Sequence, residues 1–150
     1  YYRSPIGTLM ISDNGKELIG LTLSANGCQT ENSSKTSVVS QKLSVQLDEY
    51  FSGKRKNFDI PIHFGGTDFQ NKVWYELTQI PYGCTKSYGE IARAIGNPKS
   101  CRAVGGANNK NPIMIVVPCH RVIGADGKLV GYAHGTEMKK FLLELEQEYI

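Results

Sequence analysis

The residues best suited to chemistry stand together at Pro118, Cys119, His120 and Arg121, where the apolar stretch IVV runs into a thiol, an imidazole and a guanidinium. A thiol is only a few per cent ionised at neutral pH, and a neighbouring imidazole or cation favours the thiolate, the form that attacks carbon. Pro118 fixes its own φ and ends the preceding run, read here as a buried strand over 115–117, so Cys119 is expected on a rigid turn. Free cysteine is also a common small buried hydrophobe, and neighbours in sequence need not touch in space. The residues alone leave both readings open.

The elements that must position this group fall into two parts, an N-terminal α/β domain over 1–65 and a C-terminal domain over 66–150, with the linker inside HFGGTD, residues 63–68. In the first, TLMIS and LIGLTL flank Asn14-Gly15, a strong hairpin signal. Val38, Val39, Leu43, Leu47, Tyr50 and Phe51 give a helical apolar stripe from about Ser37, closed by Gly53. FDIPI reads as an edge strand, because Pro61 cannot donate to a central ladder. The second part opens on a helix capped by Thr67 or Asp68, with Phe69, Val73, Leu77 and Ile80 on one face and Pro81 and Gly83 ending it. Ser87 and Glu90 have capping-box spacing, and Pro98 is expected at the first position of the helix that follows. A helix, a tight turn and a second helix form the outline of a helix-turn-helix, although such pairs also occur in cores that touch no DNA.

The second of these helices carries RAVGGAN, in which Ala103, Gly105, Gly106 and Ala107 stand where a stable helix prefers larger residues. Each Gly costs about 1 kcal/mol against Ala. Either this face packs closely on another helix, or it lets the backbone approach an external surface with Arg102 as the single long side chain. A DNA minor groove, about 6 Å wide, suits the second arrangement.

Composition sets the class. The chain has 150 residues, 40% of them hydrophobic, enough for one domain or two small ones, and no stretch approaches the roughly 18 apolar residues of a membrane span. Cys28, Cys84, Cys101 and Cys119 show no metal-type spacing, so reduced thiols and a cytoplasmic setting are expected. Net charge is +3, and residues 86–128 hold seven basic residues against two acidic ones, so a polyanionic partner is plausible beside the cysteine, a solvated face being the alternative.

NPIMIVVPCHRVIG, preceded by SYGEIARAIGNPKSCRAVGGANNK and followed by GKLVGYAHGTEMKKFLLELE, resembles the O6-alkylguanine-DNA alkyltransferases. The resemblance implies an α+β fold: a small N-terminal antiparallel sheet with a helix, ribonuclease-H-like, then a winged helix-turn-helix DNA-binding domain. It implies direct-reversal DNA repair, in which Cys119 irreversibly takes an alkyl group from O6 of a flipped-out guanine, with O4 of thymine as a second candidate substrate. His120 would act as base through a water, oriented by Glu146, and Asn111 would brace the turn. Tyr88 would help rotate the nucleotide and donate to the base, and Arg102 would fill the gap the base leaves, on the helix face of Ala103 and Gly105. The carbonyls of Cys119 and Val122 and the amide of Ala133 would read the guanine edge, with Tyr132 and His134 beside the pocket. His134 departs from the family, where glycine is common, and is expected to narrow the space for bulky alkyl groups. The implied partner is double-stranded DNA containing O6-alkylguanine, met by a monomer without cofactor, metal or membrane. A DNA-binding module without chemistry and a cysteine hydrolase remain the rival classes.

Overall fold

Asn14 and Gly15 close the expected hairpin by side-chain chemistry as well as by backbone freedom. Asn14 Oδ1 accepts from the backbone N–H groups of Lys16 at 2.9 Å and Glu17 at 2.7 Å, and Gly15 takes a φ of +90°. The computed structural model describes residues 1–24, 37–124, 127 and 135–150. Among them the chain forms two units, Tyr1–Phe64 and Gly65–Ile150.

The N-terminal unit is an antiparallel meander of β1 (Tyr2–Ser4), β2 (Gly7–Asp13) and β3 (Leu18–Leu23), with helix α1 (Val38–Phe51). Leu9, Leu18 and Leu21 of the sheet and Leu43, Leu47 and Tyr50 of α1 are fully buried. Ser37 caps α1, its Oγ accepting from Ser40 N at 3.0 Å. The expected edge strand in FDIPI shrinks to a single parallel bridge between Ile62 and Leu18. The cause lies in α1, where buried Gln46 takes both backbone groups of Asp59, accepting from its N–H at 2.9 Å and donating to its carbonyl at 3.3 Å. Pro61 then offers only a carbonyl, which accepts from Leu18 N at 2.8 Å.

The C-terminal unit begins with α2 (Asp68–Thr78), whose Thr67 and Gln70 form a reciprocal capping box. A short parallel pair, β4 (Lys86–Ser87) with β5 (Val122–Ile123), frames α3 (Tyr88–Ala94) and α4 (Cys101–Asn109), and α5 (Thr136–Glu148) ends the fold. Helices α2, α3 and α4 pack on one another, and Trp74 of α2 donates its Nε1–H to the Ala107 carbonyl at 2.8 Å. Pro98 is not the first residue of α4. Ser100 folds back on Asn97 through both its N–H (3.1 Å) and its hydroxyl (2.6 Å), and this extra turn delays the helix to Cys101.

The apolar stretch before Pro118 is buried as expected but is not the expected strand. Residues 114–116 turn, with Val116 N donating to Met114 O at 2.7 Å, and Ile115 sits at φ +69°, a strained value for a β-branched residue. Asn111 takes the place of a partner strand: its Oδ1 accepts from Ile113 N at 3.0 Å and its Nδ2 donates to the carbonyls of Ile113 at 3.2 Å and Val117 at 2.8 Å. The backbone polarity of this buried stretch is thus satisfied by one buried amide together with local turn bonds, among them Val117 N to Ile113 O at 3.1 Å.

A methyl group on Gly66 would stand 2.5 Å from the Trp74 ring, whereas one on Gly65 would meet nothing within 4 Å. Gly66→Ala is expected to lower stability by about 1–3 kcal/mol through forced repacking, and Gly65→Ala to change it by less than about 0.5 kcal/mol. Urea-unfolding midpoints of the two variants check the difference.

Candidate active site

Cys119 opens a single 3₁₀ turn, Cys119–Arg121, and is 4% exposed. Three contacts hold its backbone. Cys119 N donates to Val117 O at 2.8 Å, and the Cys119 carbonyl accepts from Val122 N and from Asn108 Nδ2 at 3.3 Å. Because Asn111 fixes the Val117 carbonyl and α4 supplies Asn108, the thiol is carried by the core rather than by a surface loop.

Behind the turn lies a buried network centred on Glu146. His120 Nε2 is 2.6 Å from Glu146 Oε2, and Arg121 clamps the same carboxylate with Nε at 2.8 Å and Nη2 at 3.0 Å. Gly83 N adds a bond at 3.3 Å. Burial by itself would raise the Glu146 carboxyl, but hydrogen bonds and charge from His120 and Arg121 hold it at about 2. His120, in turn, is pushed below its ordinary value, chiefly by burial. The hydrogen bond from His120 and the clamp from Arg121 together keep Glu146 ionised.

This fixes the imidazole's tautomer by inference from its partner. The ionised carboxylate can only accept, so His120 donates from Nε2 and carries its lone pair on Nδ1. That nitrogen is buried and has no hydrogen-bond partner among the described residues. A buried base of this kind is matched to taking one proton from a nearby acid.

Arg121 does not serve the thiol in the way its position in sequence suggests. Its third nitrogen, Nη1, donates to the Ile80 carbonyl at 2.7 Å, and its guanidinium lies 5.6 Å from the Tyr82 ring centre. Among the described residues, a cation coupled to Cys119 is Lys139 of α5, fully buried, with Nζ 5.8 Å from the Tyr88 ring centre. Burial lowers Lys139 to about 8, with the Cys119 charge pulling it upward. Tyr88, half-buried at the start of α3, is raised by burial and by the same thiol. Cys119, His120, Lys139 and Tyr88 therefore form one electrostatic cluster.

On α4, Val104, Ala107 and Asn108 face the core, while Arg102, Ala103 and Gly106 are exposed. A methyl group on Gly106 would meet nothing within 4 Å, and one on Gly105 would reach only ordinary contact, 3.9 Å, with Tyr88. Close packing between helices is therefore not what requires the two glycines. Val122 is buried in β5. Tyr132, Ala133, His134 and Cys28 lie outside the described residues.

Cys119 and His120 stand out in the sequence by residue type, Asn111 and Glu146 only through the family resemblance, and Lys139 and Asn108 by neither. The signal for Lys139 was available in the spacing Lys139, Leu142, Leu145, Glu146, which places a lysine on the buried stripe of α5 beside the carboxylate. Asn108, 2% exposed, had no comparable signal, because an amide among small helical residues looks the same whether it faces solvent or a carbonyl.

Residues 1–64 match the family description "6-O-methylguanine DNA methyltransferase, ribonuclease-like domain", and residues 68–148 match "6-O-methylguanine DNA methyltransferase, DNA binding domain". A methylated-DNA–protein-cysteine methyltransferase of Methanosarcina acetivorans is 47% identical over 97% of this chain and 95% of its own length. One from Mycobacterium leprae is 47% identical over 98% and 90%. Among solved structures, the Mycobacterium tuberculosis OGT in complex with DNA is similar at a TM-score of 0.88 and 47% identity, covering 97% of this chain and 90% of that one. An O6-methylguanine DNA methyltransferase from Methanococcus jannaschii is similar at a TM-score of 0.70 and 28% identity, covering 94% and 89%.

The Glu146 network yields a stability prediction with a defined sign. A carboxyl lowered from 4.5 to about 2 contributes stability that is present above the ordinary value and lost as pH falls toward 2. Arg121→Met, which leaves the buried carboxylate without its permanent counter-charge, is expected to cost about 3–5 kcal/mol. Adding Glu146→Gln to that variant should recover part of the loss and flatten the acid limb. Chemical denaturation of the two single variants and the double variant between pH 2 and 7 checks both expectations, and strict additivity would contradict the coupling.

Proposed function

Because the chain belongs to the 6-O-methylguanine DNA methyltransferase family, we propose that it reverses alkylation damage in double-stranded DNA by moving the alkyl group from O6 of guanine onto Cys119. The observation that carries the assignment to particular residues is the buried succession of Cys119, His120 and Glu146, with the carboxylate held ionised and the imidazole neutral.

In the reaction His120 Nδ1 takes the thiol proton, through a water where one is needed to span the gap. The sulfur then forms a bond to the alkyl carbon, the carbon–O6 bond breaks, and its electron pair remains on the guanine. O6-alkylguanine lacks the N1 proton of guanine, so the balance is completed when the purine gains one proton and the thiol has lost one. Glu146 positions the imidazole and stabilises it while it is charged. Asn111 and Asn108 hold the carbonyls of Val117 and Cys119, which fixes the backbone that carries the thiol. The product is a thioether. It has no electrophilic carbonyl for water to attack, so each chain acts once.

The DNA-facing reading rests on the exposed face of α4. Arg102, Ala103 and Gly106 give a flat helix surface with one long cation, suited to close approach in a narrow groove. The target base must leave the stack to reach a thiol this deeply buried, and Arg102 is suited to hold the vacated position while Tyr88 meets the base. This reading differs from a DNA-binding module in requiring the thiol, and from a hydrolase in forming a bond that water does not cleave.

Incubation with duplex DNA containing O6-methylguanine should add one methyl mass to the intact protein, mapped to the Cys119 peptide, with no second turnover. Cys119→Ala should accept no methyl while binding duplex DNA within a few-fold of the parent. Methyl uptake at another residue would displace Cys119 from the mechanism. Unmodified protein that binds damaged DNA would favour the DNA-binding module.

Two substitutions on α4 separate DNA engagement from thiol chemistry. Arg102→Ala should slow repair in duplex DNA at least tenfold while changing the reaction with free O6-benzylguanine less than threefold, because unstacking a base costs a few kcal/mol only in the duplex. Gly106→Leu should weaken duplex binding without lowering the melting temperature, since the added side chain projects from the helix into open space. Equal losses on both substrates would place these residues in the chemistry instead.

A further inference from the structure

Asn108 lies on the inner face of α4 and is 2% exposed, yet only half of its amide is used. Its Nδ2 donates to the Cys119 carbonyl at 3.3 Å, whereas its Oδ1 is buried and has no hydrogen-bond partner among the described residues. The orientation of the amide follows from its neighbour, since the opposite one would set two acceptor oxygens against each other. A buried amide oxygen without a donor is unfavourable, and an atom of this kind calls for a donor that the fold itself does not supply. The backbone N–H groups that follow Asn108 are already spent: Lys110 N on the Gly106 and Ala107 carbonyls, and Asn111 N on the Asn108 carbonyl.

The surroundings show where such a donor would come from. A carbonyl oxygen has two lone pairs, and that of Cys119 already accepts from Val122 N and from Asn108 Nδ2. The acceptor left open against this peptide is Asn108 Oδ1. One helical turn before Asn108, on the same face of α4, a methyl group on Gly105 would stand 3.9 Å from the Tyr88 ring. The amide therefore lies between the backbone of the nucleophile and the stretch of α4 that Tyr88 covers. A base whose alkyl carbon reaches the Cys119 sulfur must bring its ring close to this peptide. On O6-alkylguanine the ring nitrogens N1, N3 and N7 are all acceptors, and the 2-amino group is the single donor of the base. O4-alkylthymine has no N–H on its base.

We propose that Asn108 is a specificity-determining residue that reads the damaged purine, its Oδ1 accepting from the 2-amino group while its Nδ2 stays on the Cys119 carbonyl. The assignment deepens the reading of Cys119 as the alkyl acceptor and rests on it. One amide then joins base recognition to the backbone that carries the thiol. The preference arises chiefly from penalty: a substrate with a donor relieves the unpaired oxygen, whereas one without a donor leaves it buried and unpaired. Bases that lack the 2-amino group, O6-alkylhypoxanthine and O4-alkylthymine, are therefore disfavoured even where their alkyl carbon is equally reactive.

The test compares two duplexes that differ in that group alone, one carrying O6-methylguanine and the other O6-methylhypoxanthine at the same position. Second-order rate constants for methyl uptake at Cys119 give the preference of the parent protein for the first. Asn108→Leu, similar in volume and without an acceptor, should lower this preference about tenfold, the worth of one hydrogen bond between neutral groups. Loss of the bond to the Cys119 carbonyl slows both reactions alike and cancels from the ratio. A ratio unchanged from that of the parent would overturn the proposal and leave Asn108 as a brace for the turn.

A second measurement does not depend on how that variant folds. In Cys119→Ala with its asparagines labelled, the side-chain carbonyl carbon signal of Asn108, followed by NMR, should move when the O6-methylguanine duplex is added and stay in place with the O6-methylhypoxanthine duplex. A signal that responds equally to both duplexes would also overturn the assignment. Failure of the parent protein to take up methyl from O6-methylguanine is a separate outcome, since it would remove the alkyl-acceptor reading while the NMR comparison still reports on the contact between Asn108 and the base.

Discussion

An ionised carboxylate at 1% exposure is unfavourable on its own, and the C-terminal unit is arranged around making Glu146 acceptable. Arg121 supplies the permanent charge, Gly83 a backbone donor, and His120 the third contact. The clamp joins α5, the residues after α2 and the 3₁₀ turn into one block, and the position of Cys119 follows from it. Most of the pairing energy offsets desolvation instead of adding net stability. What the network supplies in return is orientation: an imidazole locked at Nε2 presents Nδ1 in a single direction.

The same arrangement explains why sequence adjacency misleads at Arg121. In PCHR the guanidinium stands two residues from the thiol, yet a 3₁₀ turn advances about 120° per residue, so successive side chains leave the backbone in different directions. Arg121 consequently turns to Glu146 and the Ile80 carbonyl, and a charge coupled to Cys119 comes from Lys139, on a helix some twenty residues later in the chain. Local sequence fixes which groups are present. Which of them meet is decided by α5.

Elements whose signals are local and periodic were legible in the sequence. The Asn14-Gly15 hairpin, the helix start at Ser37 and the cap at Thr67 all depend on contacts within a few residues. The misreadings share a different cause, because each involves a polar side chain that takes over a backbone hydrogen bond. Gln46 reaches Asp59 and removes an expected strand, Ser100 folds onto Asn97 and delays α4, and Asn111 satisfies Ile113 and Val117 so that an apolar β-branched run can turn. Propensity and periodicity describe what a segment prefers when its backbone pairs with backbone. They do not register a buried amide acting as a partner strand, and the strained φ of Ile115 shows how far such an amide can carry the chain from its preference.

The depth of the thiol fits a protein that reacts once. A site that must release its product and refill repeatedly is constrained to stay accessible, since release commonly limits turnover. A stoichiometric reagent meets only half of that requirement: the substrate carbon must reach sulfur, but nothing formed on the sulfur has to leave. Cys119 can therefore sit at 4% exposure among Val117, Val122 and the α5 helix, where water is largely excluded and the charges of Glu146 and Lys139 act at short range through a weakly screening medium. Access is transferred to the substrate, which must extend its base toward a fixed thiol. Under the proposed function the flat, small-residue face of α4 would be the complementary half of the design, since a backbone that can approach the duplex closely shortens the distance the extruded base must travel to the buried thiol.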